Sequence, residues 1–277
     1  MPELGEVEFY RRVWDEGLKG RVVRAAQASG KRPFRGGGAP VARLVGTRLI
    51  RSLASGKQLL FEFSGGKAGR VWVGVHLGMT GDLRVEPATF KGGRHDHLIL
   101  RTAHGAGVYT DPRMFGRIDI HARAEPPAWW LHRPADVLSA GFSRLAVAAY
   151  LKRRRRSPLK AVVLDQERFP GVGNWMADEI LWRARLHPAR LAGSLTATET
   201  ESLWRECRWV CRAALDRFGA RGRSLPPSPF RIPVPPKWLL GHRWAPGGKD
   251  PLTGSPLRRA TIGGRTTVWS PGRQKRN

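Results

Sequence analysis

The feature that most restricts what this chain can fold into is a change of pattern near residue 125. Before it lie short runs with strand character, RVVRAAQ, RLIRSL, QLLFEF, RVWVGVHL, HLILRT and GRIDIHA. Most are parted by Gly-rich turns, as in a β-sandwich or barrel. After it, SRLAVAAYLKRRRR, KAVVLDQERF, WMADEILWRARL and TETESLWRECRWVCRAAL carry helical periodicity, with Thr196 or Thr198 as the cap of the last. Pro126, Pro127 and Pro134 punctuate the change as a linker would. At the start, GEVEFYRRVWDEGL predicts an amphipathic helix with Val7, Tyr10, Trp14 and Leu18 as its apolar stripe. RSLPPSPFRIPVPPKW can be neither a regular helix nor a central strand, and LRRATIGGRTTVW reads as a hairpin around Gly263 and Gly264. The expectation is an α+β chain. It has a helix and β-sandwich over 1–125, a linker over 126–134, a helical domain over 135–220 and a tail over 221–277.

Charge narrows the partner. Against 22 Asp plus Glu stand 49 Lys plus Arg, a formal charge of +27, which suits a polyanion and nucleic acid first. No apolar run is long enough to cross a bilayer and the start has no signal-peptide pattern, so no membrane partner is expected. The expected setting is cytoplasmic, nucleoid-associated if the source is bacterial, and the expected state is a monomer. Cys207 and Cys211 are too few for a disulfide framework or a four-cysteine zinc site, and their spacing places both on one helical face, where packing explains them. His95, Asp96 and His97 have metal-like spacing, yet strand residues around a hydrogen-bonded carboxylate account for them better. The basic run 152–156 reads as a solvated helix end or linker.

The opening MPELGEVE marks little by itself, because acidic residues often open helices. Its chemistry is nonetheless suggestive. Once Met1 is removed, Pro2 presents a secondary α-amine, and α-amines titrate near ~7.7–8.0 whereas lysine side chains titrate near ~10.4. Pro2 is therefore a candidate nucleophile, with Glu3 beside it as a candidate acid/base group and Glu6 in a supporting role.

Further strings follow in order: SGKQLLF around Lys57, HLGMTG at 76–81, HDHLIL at 95–100, YTDPRMFG at 109–116, LDQERFPGVGNWMADEILWRARLHP at 164–188 and GGRTTVW at 263–269. Together they resemble the formamidopyrimidine-DNA glycosylase and endonuclease VIII family, whose N-terminus reads Met-Pro-Glu-Leu-Pro-Glu-Val-Glu. Only Gly5 departs from that octet. The resemblance spans nearly the whole chain and is weakest over about 220–250. It implies a base-excision repair DNA glycosylase with abasic-site lyase activity (β/δ-elimination), acting without a cofactor on damaged bases in double-stranded DNA. In that frame the Pro2 amine attacks C1′ and the base leaves, so that an iminium link permits elimination. Lys57 and His76 resemble residues that contact phosphate by the lesion, and Asn174 one at the N-terminus of a helix-two-turn-helix. Met79, Arg113 and Phe115 resemble the trio that fills the hole left by a flipped nucleotide. Met114 stands where a second basic residue is usual.

Two departures qualify the resemblance. The family usually ends in a four-cysteine zinc finger, and here Asp250, Thr253, Ser270 and Arg273 fall at the cysteine positions. No zinc binds such a set, so the tail resembles a zincless β-hairpin finger with Arg265 at its tip, packed by Leu257, Ile262, Val268 and Trp269. The Gly-Thr-rich lid of members that remove 8-oxoguanine is replaced by GARGRSLPPSPFRIPVPP, stiff and poor in amide donors, which argues against an 8-oxoguanine pocket. These departures leave room for a non-catalytic lesion- or structure-selective DNA-binding protein on the same scaffold. A basic RNA-associated protein is the remaining reading.

Overall fold

A computed structural model describes residues 2–29, 40–220, 222–244 and 246–276. Met1, whose removal the proposed nucleophile requires, lies outside them. The chain divides into two compact units, Met1–Arg133 with Phe218–Leu225, and Pro134–Arg217 with Pro226–Asn277.

The first unit opens with α1 (Leu4–Leu18), whose Val7, Tyr10, Trp14 and Leu18 are all buried, with Phe9 added to the stripe. Eight strands follow: β1 (Ala25–Ala28), β2 (Arg48–Ser55), β3 (Gln58–Gly65), β4 (Gly69–His76), β5 (Asp82–Glu86), β6 (Asp96–Arg101), β7 (Ala106–Thr110) and β8 (Arg117–Ala122). They form two antiparallel sheets, β1-β6-β7-β5 and β2-β3-β4-β8. α1 packs against β2 and β3 of one sheet and β5 and β7 of the other. Gly17 permits that approach, since a Cβ there would lie 2.3 Å from the Val85 side chain. The Pro-punctuated stretch expected as a linker instead carries α2 (Ala128–Leu131), which packs on the first unit. Trp130 joins Leu60 and Trp72 in a buried cluster, and the Trp129 ring lies where a Cβ on Gly74 would stand. Two indoles bury too much apolar area to be left on a tether.

The second unit holds α3 (Arg144–Arg153), α4 (Leu159–Val163), α5 (Asn174–Arg183), α6 (Ala197–Arg217) and a hairpin of β9 (Arg258–Ile262) and β10 (Arg265–Trp269). The α+β expectation is met. The run KAVVLDQERF is helical only in its first half, because Asp165 turns its carboxylate back to the Glu167 N–H (3.0 Å) and Pro170 follows. The basic run beyond Lys152 is exposed, and α3 stops within it. Thr196, not Thr198, caps α6, in a reciprocal pair with Glu199 (3.2 and 2.9 Å). Cys207 and Cys211 are buried on its inward stripe with Leu203, Val210 and Ala214.

α5 ends in a Schellman turn, with the Leu186 N–H on Leu181 O at 2.9 Å and Arg185 at φ 57°. An arginine there carries the Cβ penalty of the left-handed region. Arg185→Gly is expected to raise stability by up to about 1 kcal/mol, read as a higher urea midpoint at unchanged m-value.

Candidate active site and nucleic-acid interface

Pro2, Glu3 and Glu6 are buried together at the first turn of α1. Glu3 is the N-cap and Glu6 the third helical residue, and they form a capping box: the Glu3 N–H donates to Glu6 Oε2 at 3.2 Å and the Glu3 carboxylate accepts the Glu6 N–H. Helix termination chemistry thus holds the carboxylate beside Pro2, at the end of the helix where the dipole favours anions. Gly5 is buried within the same turn.

β2 and β3 are joined by a two-residue turn in which Gly56 takes φ 57°, which leaves Lys57 at the tip. The neighbouring pair in the sheet is Gln58 with His76, so strand register brings Lys57 to His76. His76 Nδ1 accepts the Gly78 N–H (3.1 Å), which places a ring proton on Nε2. Burial first, then the charges of Lys57 and Arg117, lower its pKa from 6.5 to about 4. At neutral pH His76 is a hydrogen-bond donor and not a cation. Protonation favours the unfolded chain, so its contribution to stability is complete above about pH 6.5 and is lost as pH falls through about 4. Lys57→Met is expected to move the His76 ring titration upward, and NMR of the imidazole checks it.

Met79, Arg113 and Phe115 sit on two loops that touch. A Cβ on Gly78 (φ 61°) would meet Phe115 C at 2.4 Å and Gly116 N at 2.5 Å. The side chains face solvent, with Phe115 57% and Met79 38% exposed, and the Arg113 guanidinium covers the Phe115 ring at 4.9 Å. Met114, at φ 52°, is also exposed. Beneath them Asp111, fully buried, accepts Thr80 Oγ1 (2.7 Å), Gly116 N (2.7 Å) and Arg113 N (3.3 Å), and so ties both loops to one carboxylate. The sequence reading passed over Asp111; an acidic residue opening an Asp-Pro turn is the signal that points to it. His97 is engaged at both ring nitrogens, by Ser29 Oγ and by Asp111 O (each 3.0 Å), and Asp96 accepts from Arg84 and Thr110. Asp96 and His97 are thus strand residues with their polar atoms engaged, whereas His95 stands exposed in the turn before β6; no cluster of metal-ligating side chains exists among the described residues.

In the second unit Gly171 (φ 89°) and the N-cap Gly173 lead into α5, whose first residue is Asn174. Gln166, also passed over, braces this turn: its Nε2 donates to Leu164 O and Val172 O (2.8 Å each), and its Oε1 accepts the Gly171 N–H (3.2 Å). Asn174 Nδ2 donates to Thr266 O of β10 (2.9 Å), and Arg265 is exposed at the hairpin tip beside Gly263 and Gly264, both at positive φ. A zinc ion does not fit the base of this hairpin. The Asp250 carboxylate is taken up by Trp182 Nε1 (2.9 Å) and the amides of Leu252 and Thr253, and the Arg273 guanidinium stands 3.8 Å away. Nor does apolar packing replace the metal as expected. Val268 is buried, but Leu257, Ile262 and Trp269 are only partly so, because a two-stranded ribbon has little interior.

Residues 1–118 match the formamidopyrimidine-DNA glycosylase N-terminal domain and residues 135–224 its H2TH domain. A formamidopyrimidine-DNA glycosylase of Thermus thermophilus is 35% identical over 278 residues, 98% of this chain and 97% of that one. The chain belongs to the formamidopyrimidine-DNA glycosylase family. The namesake of Cereibacter sphaeroides is 36% identical over 238 residues, 81% of this chain and 82% of that one. Among solved glycosylase structures, the MutM (Fpg) protein of T. thermophilus aligns at TM-score 0.79 with 32% identity over the full length of both. Lactococcus lactis Fpg, solved with an abasic site containing DNA, shares the fold at TM-score 0.83 and 22% identity, over 99% of this chain and 100% of that one. As in other glycosylases of the family, an N-terminal sheet domain, a helix-two-turn-helix domain and a C-terminal hairpin follow one another. No helix among the described residues is long and apolar enough to cross a membrane.

Proposed function

We propose that this glycosylase removes damaged bases from double-stranded DNA through the Pro2 amine and then cleaves the strand at the abasic site. The observation that carries this reading is the capping box that buries two carboxylates beside Pro2 at the start of α1. The amine nitrogen attacks C1′, the bond from C1′ to the base breaks, and its electron pair leaves with the base, which gains a proton. The nitrogen then gives up its proton and the C1′–O4′ bond opens as O4′ takes a proton, which leaves a C1′=N⁺ iminium. This acidifies the C2′ proton, whose loss expels the 3′-phosphate, and a second elimination releases the 5′-phosphate. Glu3 carries protons at the sugar, and Glu6 holds Glu3 in place. Lys57, as a cation, and His76, as a neutral donor, bind phosphates beside the lesion, while Met79, Arg113 and Phe115 enter the vacated stack. Asn174, through its remaining amide hydrogen, and Arg265 hold further phosphates. The net charge of +27 supplies the attraction to DNA, which in a bacterial cell is that of the nucleoid.

The substrate reading follows from the segment after α6. Residues 224–237 are Pro-rich, with a single 3-10 turn (Pro229–Arg231), and Arg217 clamps Pro233 O (2.9 and 2.6 Å). Such a segment offers few amides to an 8-oxoguanine edge, so ring-opened purines, oxidised pyrimidines, abasic sites and bulky adducts are favoured over it. Incubating the Met1-processed protein with duplexes bearing each lesion, in the presence of borohydride, is expected to yield a covalent protein–DNA adduct and a cleaved strand. No adduct across the whole panel, with binding intact, would leave the non-catalytic reading in its place.

A further inference from the structure

The residues of α5 that face the hairpin are Asn174, Asp178 and Trp182, one helical turn apart and so on one face. Their partners climb β10 in step. Asn174 Nδ2 donates to Thr266 O (2.9 Å) and Asp178 Oδ2 accepts the Val268 N–H (3.1 Å). Trp182 Nε1 donates to Asp250 Oδ2 (2.9 Å), against which Ser270 is buried. β10 pairs with β9 along one edge only, so these contacts satisfy the edge left without a strand. The middle rung is charge-compensated inside the protein. Buried Lys160 reaches Asp178 Oδ1 (2.6 Å) and Asn174 O (2.7 Å), and buried Arg243 reaches Asp178 Oδ2 (2.7 Å). At the third rung, Asp250 Oδ1 holds the amides of Leu252 (2.8 Å) and Thr253 (3.2 Å), and the Arg273 guanidinium covers the Trp182 ring (4.9 Å) with its Nε 3.8 Å from Asp250 Oδ2. Thr253, Ser270 and Arg273 thus gather around the Asp250 carboxylate.

We propose that this polar ladder does the work of the missing metal, and that Asp250 is a positioning residue that fixes Arg265 relative to Asn174 so that the two grip DNA as one unit. The inference rests on the phosphate-binding reading of Arg265 and Asn174 given above. Because the rungs run along the whole of β10, loosening the base of the hairpin releases its tip.

The test uses the full chain and a duplex bearing a tetrahydrofuran abasic analogue, with affinity followed against salt. Arg265→Ala is expected to weaken binding and to lower the salt slope by about one. Asp250→Ala and the milder Trp182→Phe, which keeps a ring beneath Arg273, are expected to reproduce that change in slope. Asp250→Ala should add nothing further in the Arg265→Ala background. A chelator should leave the unaltered protein's binding unchanged. If Arg265→Ala has no effect, the phosphate reading fails and the proposal with it. If Arg265→Ala weakens binding but Trp182→Phe and Asp250→Ala keep affinity and slope, or if the losses simply add, the positioning role is overturned. Binding lost to a chelator would also overturn it. Should circular dichroism show that Asp250→Ala has lost helix, Trp182→Phe alone decides.

Discussion

Protein that retains Met1, or whose Pro2 amine is acetylated, is expected to lose base release and strand cleavage by a factor on the order of 10⁴ or more, the scale on which removing a nucleophile acts. Either change leaves the nitrogen as an amide, whose lone pair is delocalised into the carbonyl and cannot attack C1′. The rest of the site is undisturbed, because the capping box uses the N–H of Glu3 and not that of residue 2. Affinity for duplex bearing an abasic analogue should therefore stay within a few fold of the processed protein. Intact mass establishes the state of the N-terminus, and borohydride trapping with gel analysis reads the result. An adduct of undiminished yield with a blocked terminus would move the nucleophile to another amine.

Glu3→Gln separates the acid from the scaffold. A glutamine side-chain oxygen still accepts the Glu6 N–H, so the first turn of α1 keeps its cap, while the proton donor and acceptor are lost. Base release is expected to fall by about 10²–10⁴-fold. A pre-formed abasic site has no base to expel and presents its aldehyde directly, so trapping there should fall much less. Equal losses on both substrates, with unchanged thermal stability, would remove Glu3 from the base-release step.

What was readable beforehand and what was not divide along physical lines. The α1 stripe is legible because helical burial repeats every three or four residues, and Val7, Tyr10, Trp14 and Leu18 follow that repeat. Strands β5 and β7 show no clear alternation: DLRVE is mostly charged, and AGVYT is buried on both faces and opens on Ala-Gly. Trp129 and Trp130 sit among prolines, and nothing local says that their indoles pack on a sheet. The residues singled out for the site were found by motif. Their proximity came from elsewhere: strand register for Lys57 and His76, and a glycine with no room for a Cβ for the loops of Met79 and Phe115. Asp111, Gln166 and Asp178 escaped notice for a common reason. Each acts on backbone or side-chain groups whose need for a partner appears only once the loops and the hairpin edge are folded.

A hairpin held by carbonyls, amides, an indole and two carboxylates has a consequence for the conditions in which it can work. Thiolate fingers are oxidised to sulfenic acids and disulfides and then release their metal. Here the grip contains no sulfur, and both cysteines of the chain are buried in α6, away from oxidants. Peroxide would instead meet exposed sulfur at Met79 and Met114, on the loops assigned to the vacated stack. Conversion of Met79 to its sulfoxide would put a polar group where an apolar wedge is needed. Oxidative stress would then spare this protein's hold on DNA and blunt its ability to open the duplex.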